Sequence, residues 1–233
     1  MKNVVITGAS RGIGYAIADI FARNGYNLYL TSVNEMNLYK ALERLLTKYD
    51  NIEAHAKAFD LSDKKQAVDF GKWVLDQAVP EVLINNTGVY EPGTVCDEPD
   101  GTLERLMATN LYSAYHVTRT LVPAMKLQGR GHIFNICSIA SLQAYSNGGA
   151  YSISKYALHG FSKNLREELK SYNIKVTSVF PGAVLTDSWG DFDNRDHRIM
   201  AASDVASMIF TAAQLSIGAC VEDIVLRPQL GDL

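Results

Sequence analysis

The chain has 233 residues, of which 47% are hydrophobic and 20% are charged, and its formal net charge at pH 7 is -3. This length suits one large α/β or β-barrel domain, and the composition is that of an ordinary globular protein rather than a disordered or collagen-like one. The small negative charge provides no general attraction to nucleic acid or to anionic membranes, so neither is expected as a partner.

The cysteines and the N-terminal residues bear on the cellular compartment. Cys96, Cys137 and Cys220 lie far apart and form no Cys-x-x-Cys pair, which favours a reducing environment. The apolar run at the N-terminus is too short for a signal peptide, and no run of about 18 apolar residues could span a membrane. The sequence therefore predicts a cytoplasmic protein.

Short β-branched runs alternate with amphipathic stretches along the whole chain. The runs predicted to be strands are Asn3–Thr7, Asn27–Thr31, Ile52–Phe59, Glu81–Asn85, His132–Cys137, Lys175–Phe180 and Asp223–Leu226. Strands that alternate with helices form a parallel sheet through right-handed crossovers, and near-continuous apolar strands indicate a sheet covered on both faces. No Pro, Gly or Ser-rich linker interrupts the pattern. We therefore predict a single doubly wound α/β domain over residues 1–233, with about seven strands.

Two connections are richer in turn residues than a short connector requires. They are Tyr90–Gly101 and Leu185–Arg198, and the second carries Trp189 and Phe192 among Asp and Asn residues. Loops that leave the carboxyl ends of the strands face the ligand crevice of a doubly wound sheet. Residues 185–200 are therefore predicted to form a substrate lid, and the alternative is an ordinary surface loop.

The first predicted strand ends in a glycine-rich turn. Gly8, Gly12 and Gly14 follow it in the spacing Gly-x-x-x-Gly-x-Gly, directly before an apolar helical pattern. Backbone N–H groups at a helix N-terminus carry partial positive charge and suit a phosphate group. The spacing is not that of a P-loop, which disfavours hydrolysis of nucleotide triphosphates. By itself, the turn could also be a tight strand-to-helix connection without a ligand.

Tyr151 and Lys155 lie four residues apart at the start of a helical stretch, so their side chains share one face. This spacing is common by chance and, alone, could belong to a solvated helix face. Ser138 follows a predicted strand 13 residues upstream of Tyr151, so strand end and helix start could meet over one crevice. Asn110 adds a polar residue inside the otherwise apolar helix predicted over Leu103–Val122.

Together these residues resemble the classical short-chain dehydrogenase/reductase family over essentially the whole chain. The matching positions are Thr7, Gly8, Gly12, Gly14, Asp60, Leu61, Asn85, Asn86, Thr87, Gly88, Asn110, Ser138, Tyr151, Lys155, Pro181, Gly182 and Thr186. One departure is Thr87, where the family usually has alanine; it places a hydroxyl near the cofactor and leaves the role of the turn intact. The resemblance implies a Rossmann-type domain that moves hydride between NAD(P)(H) and a carbonyl or alcohol carbon. Within the family, the chain is similar to 3-oxoacyl carrier-protein reductases and to small ketone or pterin reductases.

The resemblance also implies which residues bind the cofactor. They are Gly8, Ser10, Arg11, Gly12, Ile13, Gly14, Ser32, Asp60, Leu61, Asn86, Gly88, Tyr151, Lys155, Pro181, Gly182 and Thr186. NAD-selective members carry an acidic residue at the end of the second strand. Ser32 occupies that position here, and Arg11 is the nearby cation that could meet a 2'-phosphate. We therefore predict NADP(H) rather than NAD(H), although Val33 stands where many NADP-using relatives have a second basic residue.

The resemblance assigns catalysis to Asn110, Ser138, Tyr151 and Lys155. Tyr151 is predicted to be the general acid, and lowering the pKa of a phenol from about 10 to about 7 requires roughly 4 kcal/mol. A cation about 4 Å away supplies that energy at an effective dielectric constant of about 20, so Lys155 is predicted to lower the pKa of Tyr151. Lys155 would also hold the nicotinamide ribose, Ser138 would orient the substrate oxygen, and Asn110 would support a water-linked proton path to Lys155.

Two further expectations concern alternatives to this chemistry. The five histidines show no metal-ligand spacing, so no metal site is predicted. A nucleotide-binding redox sensor or scaffold without turnover is the alternative function. It is disfavoured because such proteins tend to lose the tyrosine or the lysine that this chain keeps.

Small residues on two helices favour self-association. They are Ala108, Ser113, Ala114, Ala157 and Gly160, and they would let the helices of another subunit approach closely, as in relatives. We therefore predict a homodimer or homotetramer. The alternative is that these residues only seat the helices on their own sheet.

Overall fold

Nine strands and seven α-helices occur in the computed structural model, which describes residues 2–186 and 189–232. The strands are β1 (Lys2–Thr7), β2 (Tyr26–Thr31), β3 (Ala54–Ala56), β4 (Val82–Asn85), β5 (Gly131–Ile136), β6 (Ile174–Pro181), β7 (Val184–Leu185), β8 (Met200–Ala201) and β9 (Asp223–Leu226). The helices are α1 (Gly12–Arg23), α2 (Glu35–Lys48), α3 (Lys64–Leu75), α4 (Thr102–Met107), α5 (Ser113–Gln128), α6 (Gly149–Leu169) and α7 (Ala202–Ala213).

Seven of these strands form one sheet in the order β3-β2-β1-β4-β5-β6-β9, and every neighbouring pair is parallel. The order runs outward from β1 in both directions, so the switch point lies between β1 and β4. Ligands bind at the carboxyl ends of the strands beside such a switch point. The predicted doubly wound α/β fold is therefore confirmed, and it places the glycine turn and the ends of β4 and β5 at one edge.

Alternating side chains bury both faces of the sheet. Along β1, Val4 and Ile6 pack with residues of α1, α2 and α7, whereas Val5 packs on the opposite face with residues of α3, α5 and α6. All three side chains are fully buried. Burial on both faces explains why the central strands are apolar without alternation.

The third strand is shorter than predicted. The sequence predicted a strand over Ile52–Phe59, but only Ala54–Ala56 pairs. This strand lies at the edge of the sheet and bonds to β2 alone, so no second neighbour extends its ladder.

The helix predicted over Leu103–Val122 is interrupted. A π-helical turn at Ala108–Tyr112 separates α4 from α5, and the N–H of Ser113 bonds to the carbonyl of Ala108, five residues earlier. Such a turn inserts one residue into the helix and is frequent at functional sites. Buried residues nevertheless continue at helical spacing across it, from Leu106 and Asn110 to Ser113 and Val117.

Two strands were not predicted. Val184–Leu185 and Met200–Ala201 pair with each other and close the base of the loop 185–200. Within the described ranges, no helix is long and apolar enough to cross a membrane.

Candidate active site

The turn between β1 and α1 is shaped by its glycines. Gly8 and Gly12 have positive φ angles of 64° and 56°, which side chains rarely tolerate. A Cβ atom on Gly14 would lie 2.2 Å from the carbonyl oxygen of Gly8, and one on Gly12 would lie 3.1 Å from Cγ2 of Thr186. The three glycines therefore bring strand, helix and the Thr186 segment close enough to form a backbone cradle at the N-terminus of α1.

Hydrogen bonds join the end of β1 to the end of β4. The hydroxyl of Thr7 accepts from the backbone N–H groups of Asn86 and Thr87, each at 2.9 Å. The side-chain amide of Asn86 donates to the carbonyls of Thr7 and Gly8 at 3.0 and 3.1 Å. Thr87 takes part through its main chain, so the replacement of the usual alanine leaves this connection unchanged.

Ser138 and Tyr151 meet over the crevice. Ser138 lies two residues beyond the end of β5 and is buried, and Tyr151 lies in the first turn of α6. The two hydroxyls lie close enough for Ser138 to favour the phenolate form of Tyr151, and the Ser138 hydroxyl accepts from the N–H of Ala140 at 3.1 Å. The strand end and the helix start, 13 residues apart in the sequence, therefore present two hydroxyls together.

Lys155 extends beneath this pair of hydroxyls. Its ammonium group is buried, donates to the carbonyl of Ile136 at 2.8 Å and lies 5.9 Å from the ring centroid of Tyr151. Burial lowers the pKa of Lys155 to about 8. A Cβ atom on Gly88 would lie 3.3 Å from this nitrogen, so the glycine allows the β4 end to approach the lysine.

The predicted lowering of the Tyr151 pKa by Lys155 is wrong in direction. The pKa of the phenol is raised, because burial penalises the phenolate more strongly than the hydrogen bond with Ser138 favours it. Lys155 is directed to the carbonyl of Ile136 instead of the phenolic oxygen, and its own charge is disfavoured by burial. Tyr151 is therefore protonated at neutral pH, as a proton donor must be.

Asn110 lies fully buried in the π-helical turn. Its side-chain amide donates to the carbonyl of Val89 at 3.0 Å and to the hydroxyl of Ser154 at 2.9 Å, while its oxygen accepts from the N–H of Val89 at 2.8 Å. These bonds fix the segment after β4 to α6. The side chain of Asn110 thus fixes the positions of Val89 and Ser154 relative to each other.

A buried polar layer lies below the site and was not predicted from the sequence. The side chain of Asn85 donates to Thr118 at 2.9 Å and to Asn135 at 2.8 Å, and Asn135 donates to Ser162 at 2.8 Å. These residues connect β4, β5, α5 and α6. Buried polar groups of this kind are costly unless they are bonded, so the network restricts how the helices can sit on the sheet.

Three residues beside Tyr151 were also missed by the sequence argument. Tyr90 packs edge-on against the ring of Tyr151, and Tyr145 lies near enough to Tyr90 for that phenol, after burial, to raise the pKa of Tyr145. Glu98 accepts from the N–H of Ala150 at 3.1 Å and so caps α6, which has no side-chain cap from its own N-cap residue. These contacts join segments far apart in the chain, and no local pattern indicates them.

The predicted cofactor site extends to the end of β2. The hydroxyls of Ser10 and Ser32 are 3.0 Å apart, which places the end of β2 beside the glycine turn. Arg11 lies at the N-cap position of α1 and is exposed. Ile13 packs partly against the core beneath this turn.

Asp60 and Leu61 differ in what they can offer a cofactor. The Asp60 carboxylate is exposed and accepts from the N–H and hydroxyl of Ser62 at 3.0 and 2.6 Å. The Leu61 side chain is buried in the core, so only its main chain could reach a ligand.

Pro181, Gly182 and Thr186 follow the end of β6. The N–H of Gly182 donates to the carbonyl of Leu226 at 2.8 Å, and Thr186 lies against Gly12. In the predicted lid, the rings of Trp189 and Phe192 pack 5.1 Å apart, while Asp187 and Ser188 lie outside the described residues. The predicted site residues thus gather along the carboxyl edge of the sheet and at the start of α1.

Comparison with known proteins identifies the family. The short chain dehydrogenase family model matches residues 2–196, and the chain belongs to this family. Sepiapterin reductase of Chlorobaculum tepidum is 32% identical over 248 residues, covering 100% of this chain and 99% of that protein. The protein is therefore an enzyme, an oxidoreductase of the short-chain dehydrogenase class.

Solved structures agree with this assignment. An alcohol dehydrogenase from the archaeon Thermococcus sibiricus, complexed with 5-hydroxy-NADP, has a TM-score of 0.91 at 25% identity, covering 98% of this chain and 97% of that one. A metagenomic short-chain oxidoreductase in complex with NADP has a TM-score of 0.85 at 30% identity, with the same coverage of 98% and 97%.

Proposed function

We propose that this protein is an NADP(H)-dependent reductase of small carbonyl compounds. The observation that carries the proposal is the neighbouring pair of hydroxyls on Ser138 and Tyr151, in which the partly buried phenol is held protonated by its raised pKa. A carbonyl oxygen placed between these two hydroxyls would be polarised by one and protonated by the other. A positioned general acid contributes about 10² to 10⁴ to the rate of such a step.

Four residues of the chain have separate roles in this step. As the carbonyl carbon gains hydride, Tyr151 gives its proton to the developing alkoxide, and the product is an alcohol. Ser138 holds the oxygen in line with the phenol. Lys155 supports the phenolate that results, and Asn110 fixes α6 and the β4 end around it and supports a proton path from the lysine.

The residues at the carboxyl edge fit a nicotinamide dinucleotide, which supplies the hydride when bound. Gly8, Gly12 and Gly14 leave room for a pyrophosphate at the N-terminus of α1, where partial positive charge favours it. Asp60, Asn86 and the segment Pro181–Thr186 would border the same ligand. Lys155 would donate to its ribose.

The cofactor is NADP(H), and its selection depends on the residues at the start of α1. The end of β2 carries Ser32 rather than an acid, Ser32 bonds to Ser10, and Arg11 follows directly. Replacing Arg11 by Ala should remove a charge-assisted contact of about 1.5 to 3 kcal/mol, or roughly tenfold to a hundredfold in NADPH affinity. NADH affinity should barely change, because NADH has no 2'-phosphate.

Dissociation constants for NADPH and NADH provide the measurement. Arg23→Ala, at the opposite end of α1, is the matched control and should leave both unchanged. Ser32→Asp should repel the phosphate and shift preference toward NADH. If the wild-type enzyme binds NADH as tightly as NADPH, the assignment to Arg11 is wrong.

Consumption of NADPH absorbance against a panel of carbonyl compounds tests the function itself. The panel should include sepiapterin, a 3-oxoacyl thioester and simple diketones, because the curated relatives include a sepiapterin reductase and a putative ketoacyl reductase. Tight NADPH binding without turnover of any of them would favour the sensor hypothesis over the reductase. The family assignment and the retained Tyr151 and Lys155 favour turnover.

Self-association is also part of the proposal, although the predicted surface needs correction. Ser113 and Ala114 are 2% and 5% exposed, so these two residues face the protein's own interior. Gly160 is exposed, and nothing lies within 4 Å of a Cβ atom built on it. Ile153 and Tyr156 share its face of α6 and are 41% and 44% exposed, so an apolar stripe for a second copy remains.

Light scattering at micromolar concentration should show a homodimer or homotetramer. Tyr156→Glu should shift the protein toward monomer, since a charge in a close helix contact is costly. Tyr39→Glu, a half-exposed tyrosine on α2, is the control. A monomeric wild-type protein would reject association through this face.

We further propose a single domain over residues 1–233, with the loop 185–200 covering the substrate. Arg198, near the end of this loop, donates to the carbonyls of Gly231 and Asp232 at 2.8 and 2.9 Å, which supports a fixed base for it. A cytoplasmic location is supported by Cys96, Cys137 and Cys220, which are all free thiols.

A further inference from the structure

Two tyrosines outside the proposed catalytic set form a surface beside the reacting hydroxyl. Tyr90 follows β4, and its ring lies edge-on to that of Tyr151, with centroids 4.9 Å apart and an interplanar angle of 90°. Tyr145 lies in the connection between β5 and α6, and its pKa is raised by burial and by the neighbouring phenols of Tyr90 and Tyr151. Their exposed fractions are 56% and 41%, so large parts of both side chains face outward. We call Tyr90 and Tyr145 the tyrosine pair.

The segments that carry the pair are tied to each other and to α6. The N–H of Gly93 donates to the carbonyl of Asn147 at 3.1 Å, and Glu98 accepts from Ala150 at the start of α6. On the other side, the N–H of Gly148 donates to the carbonyl of Tyr145 at 3.1 Å, and a Cβ atom on Gly148 would touch the Tyr145 ring. The pair is thus held in place before any substrate arrives.

Preorganised rings beside a reactive group favour a particular kind of ligand. Aromatic rings pack well edge-on or offset-stacked against other rings, and they lose little conformational freedom in doing so. A substrate with a ring next to its carbonyl group could rest that ring on the tyrosine pair while its oxygen reaches Tyr151 and Ser138. An aliphatic substrate would gain less from the same surface.

The charges of the loop that carries Tyr90 add a second restriction. Residues 90–101 contain four acidic and no basic side chains. Arg105 pairs with Glu91, and the other three acidic side chains leave the loop negatively charged. An anionic substrate would therefore approach against a negative potential.

We propose that the tyrosine pair is the specificity-determining wall of the substrate site, and that the preferred substrate is an uncharged carbonyl compound bearing an aromatic or heteroaromatic ring. This inference rests on the reductase function proposed above. It assigns Tyr90 and Tyr145 to substrate recognition and leaves proton donation to Tyr151.

Three matched diketone-like probes test the inference. Methyl phenyl diketone is uncharged and carries a ring, diacetyl replaces the ring by a methyl group, and phenylglyoxylate keeps the ring but carries a negative charge. We expect kcat/KM with NADPH to be about tenfold or more higher for methyl phenyl diketone than for either of the others. Binding of each probe to the enzyme–NADP⁺ complex, measured by calorimetry, should show the same order.

Substitutions in the tyrosine pair should change the order of kcat/KM among the three probes. Tyr90→Leu and Tyr145→Leu should each reduce the preference for methyl phenyl diketone over diacetyl by about tenfold, mainly through KM. Tyr145→Phe keeps the ring and should keep the preference. Tyr39→Leu, on α2, is the control, and NADPH affinity should be unchanged in every variant.

The outcomes separate the two proposals. If the enzyme reduces the probes and both leucine variants keep the preference for the ring, the role of the tyrosine pair is wrong, whereas the reductase function is supported. If no probe is reduced, but the wild-type enzyme binds the ring-bearing probe selectively and both leucine variants lose this selectivity, the reductase function is contradicted and the role of the tyrosine pair is supported. A wild-type enzyme that favours phenylglyoxylate would overturn the restriction to uncharged substrates.

Discussion

Replacing Tyr151 by Phe is expected to lower carbonyl reduction by about a hundredfold or more while leaving NADPH affinity nearly unchanged. The substitution removes the hydroxyl that lies beside Ser138 and keeps the ring that packs against Tyr90. The loss should appear in kcat, because the proton is transferred in the transition state rather than in the ground state.

Tyr156→Phe is the matched control for this experiment. Tyr156 lies on the same helix, five residues further along, and its side chain is 44% exposed on the outer face. Steady-state kinetics and NADPH titration of both variants give the comparison. Activity of Tyr151→Phe within a few-fold of wild type would remove Tyr151 from the proposed role.

The raised pKa of Tyr151 also predicts how the rate of carbonyl reduction by the wild-type enzyme changes with pH. A general acid works in its protonated form, and a raised pKa keeps the phenol protonated across neutral pH. The rate of reduction should therefore fall only on the alkaline side. This direction differs from the expectation of a phenol poised near neutrality.

The sheet and the reactive residues were predictable from the sequence because the patterns that indicate them lie within short stretches of the chain. Apolar runs such as residues 82–84 indicate buried parallel strands, and the glycines before α1 occupy positions that a side chain would disrupt. Tyr151 and Lys155 are one helical turn apart. The chain order of these features, together with the family resemblance, is sufficient to place them at one edge.

The parts that were missed depend mainly on contacts between distant segments. Glu98 caps a helix 52 residues away, and Tyr90 meets Tyr145 and Tyr151 across two connections. Ser113 and Ala114 follow Asn110 at spacings of three and four residues on the same buried helix face, so their predicted outward position is wrong on the helical period itself.

The contacts of Lys155 do not follow from its spacing to Tyr151. A separation of four residues places Tyr151 and Lys155 on one face, but the long lysine side chain can bond elsewhere. Here its ammonium reaches the carbonyl of Ile136, and its distance from the phenol ring is 5.9 Å. The proposed roles of Lys155 therefore need a test in which its two functions are measured separately.

Replacing Lys155 by Met is expected to lower both the rate of reduction and the affinity for NADPH. Methionine fills a similar volume but carries no donor, so the contact with the cofactor ribose and the support for the Tyr151 phenolate are lost together. Loss of one bond to a charged group corresponds to about 1.5 to 3 kcal/mol, or roughly tenfold to a hundredfold in affinity. Lys163→Met, two turns further along α6 and paired with Asp223 at the surface, is the control.

A titration of NADPH affinity against pH makes this prediction specific to the ammonium group. Because burial lowers the pKa of Lys155 to about 8, the group is charged below that pH and loses its proton as the pH rises through it. Wild-type NADPH affinity should therefore weaken above pH about 8, whereas the affinity of Lys155→Met should be low and without this step. Unchanged affinity in Lys155→Met would exclude the ribose contact, even if the rate still falls.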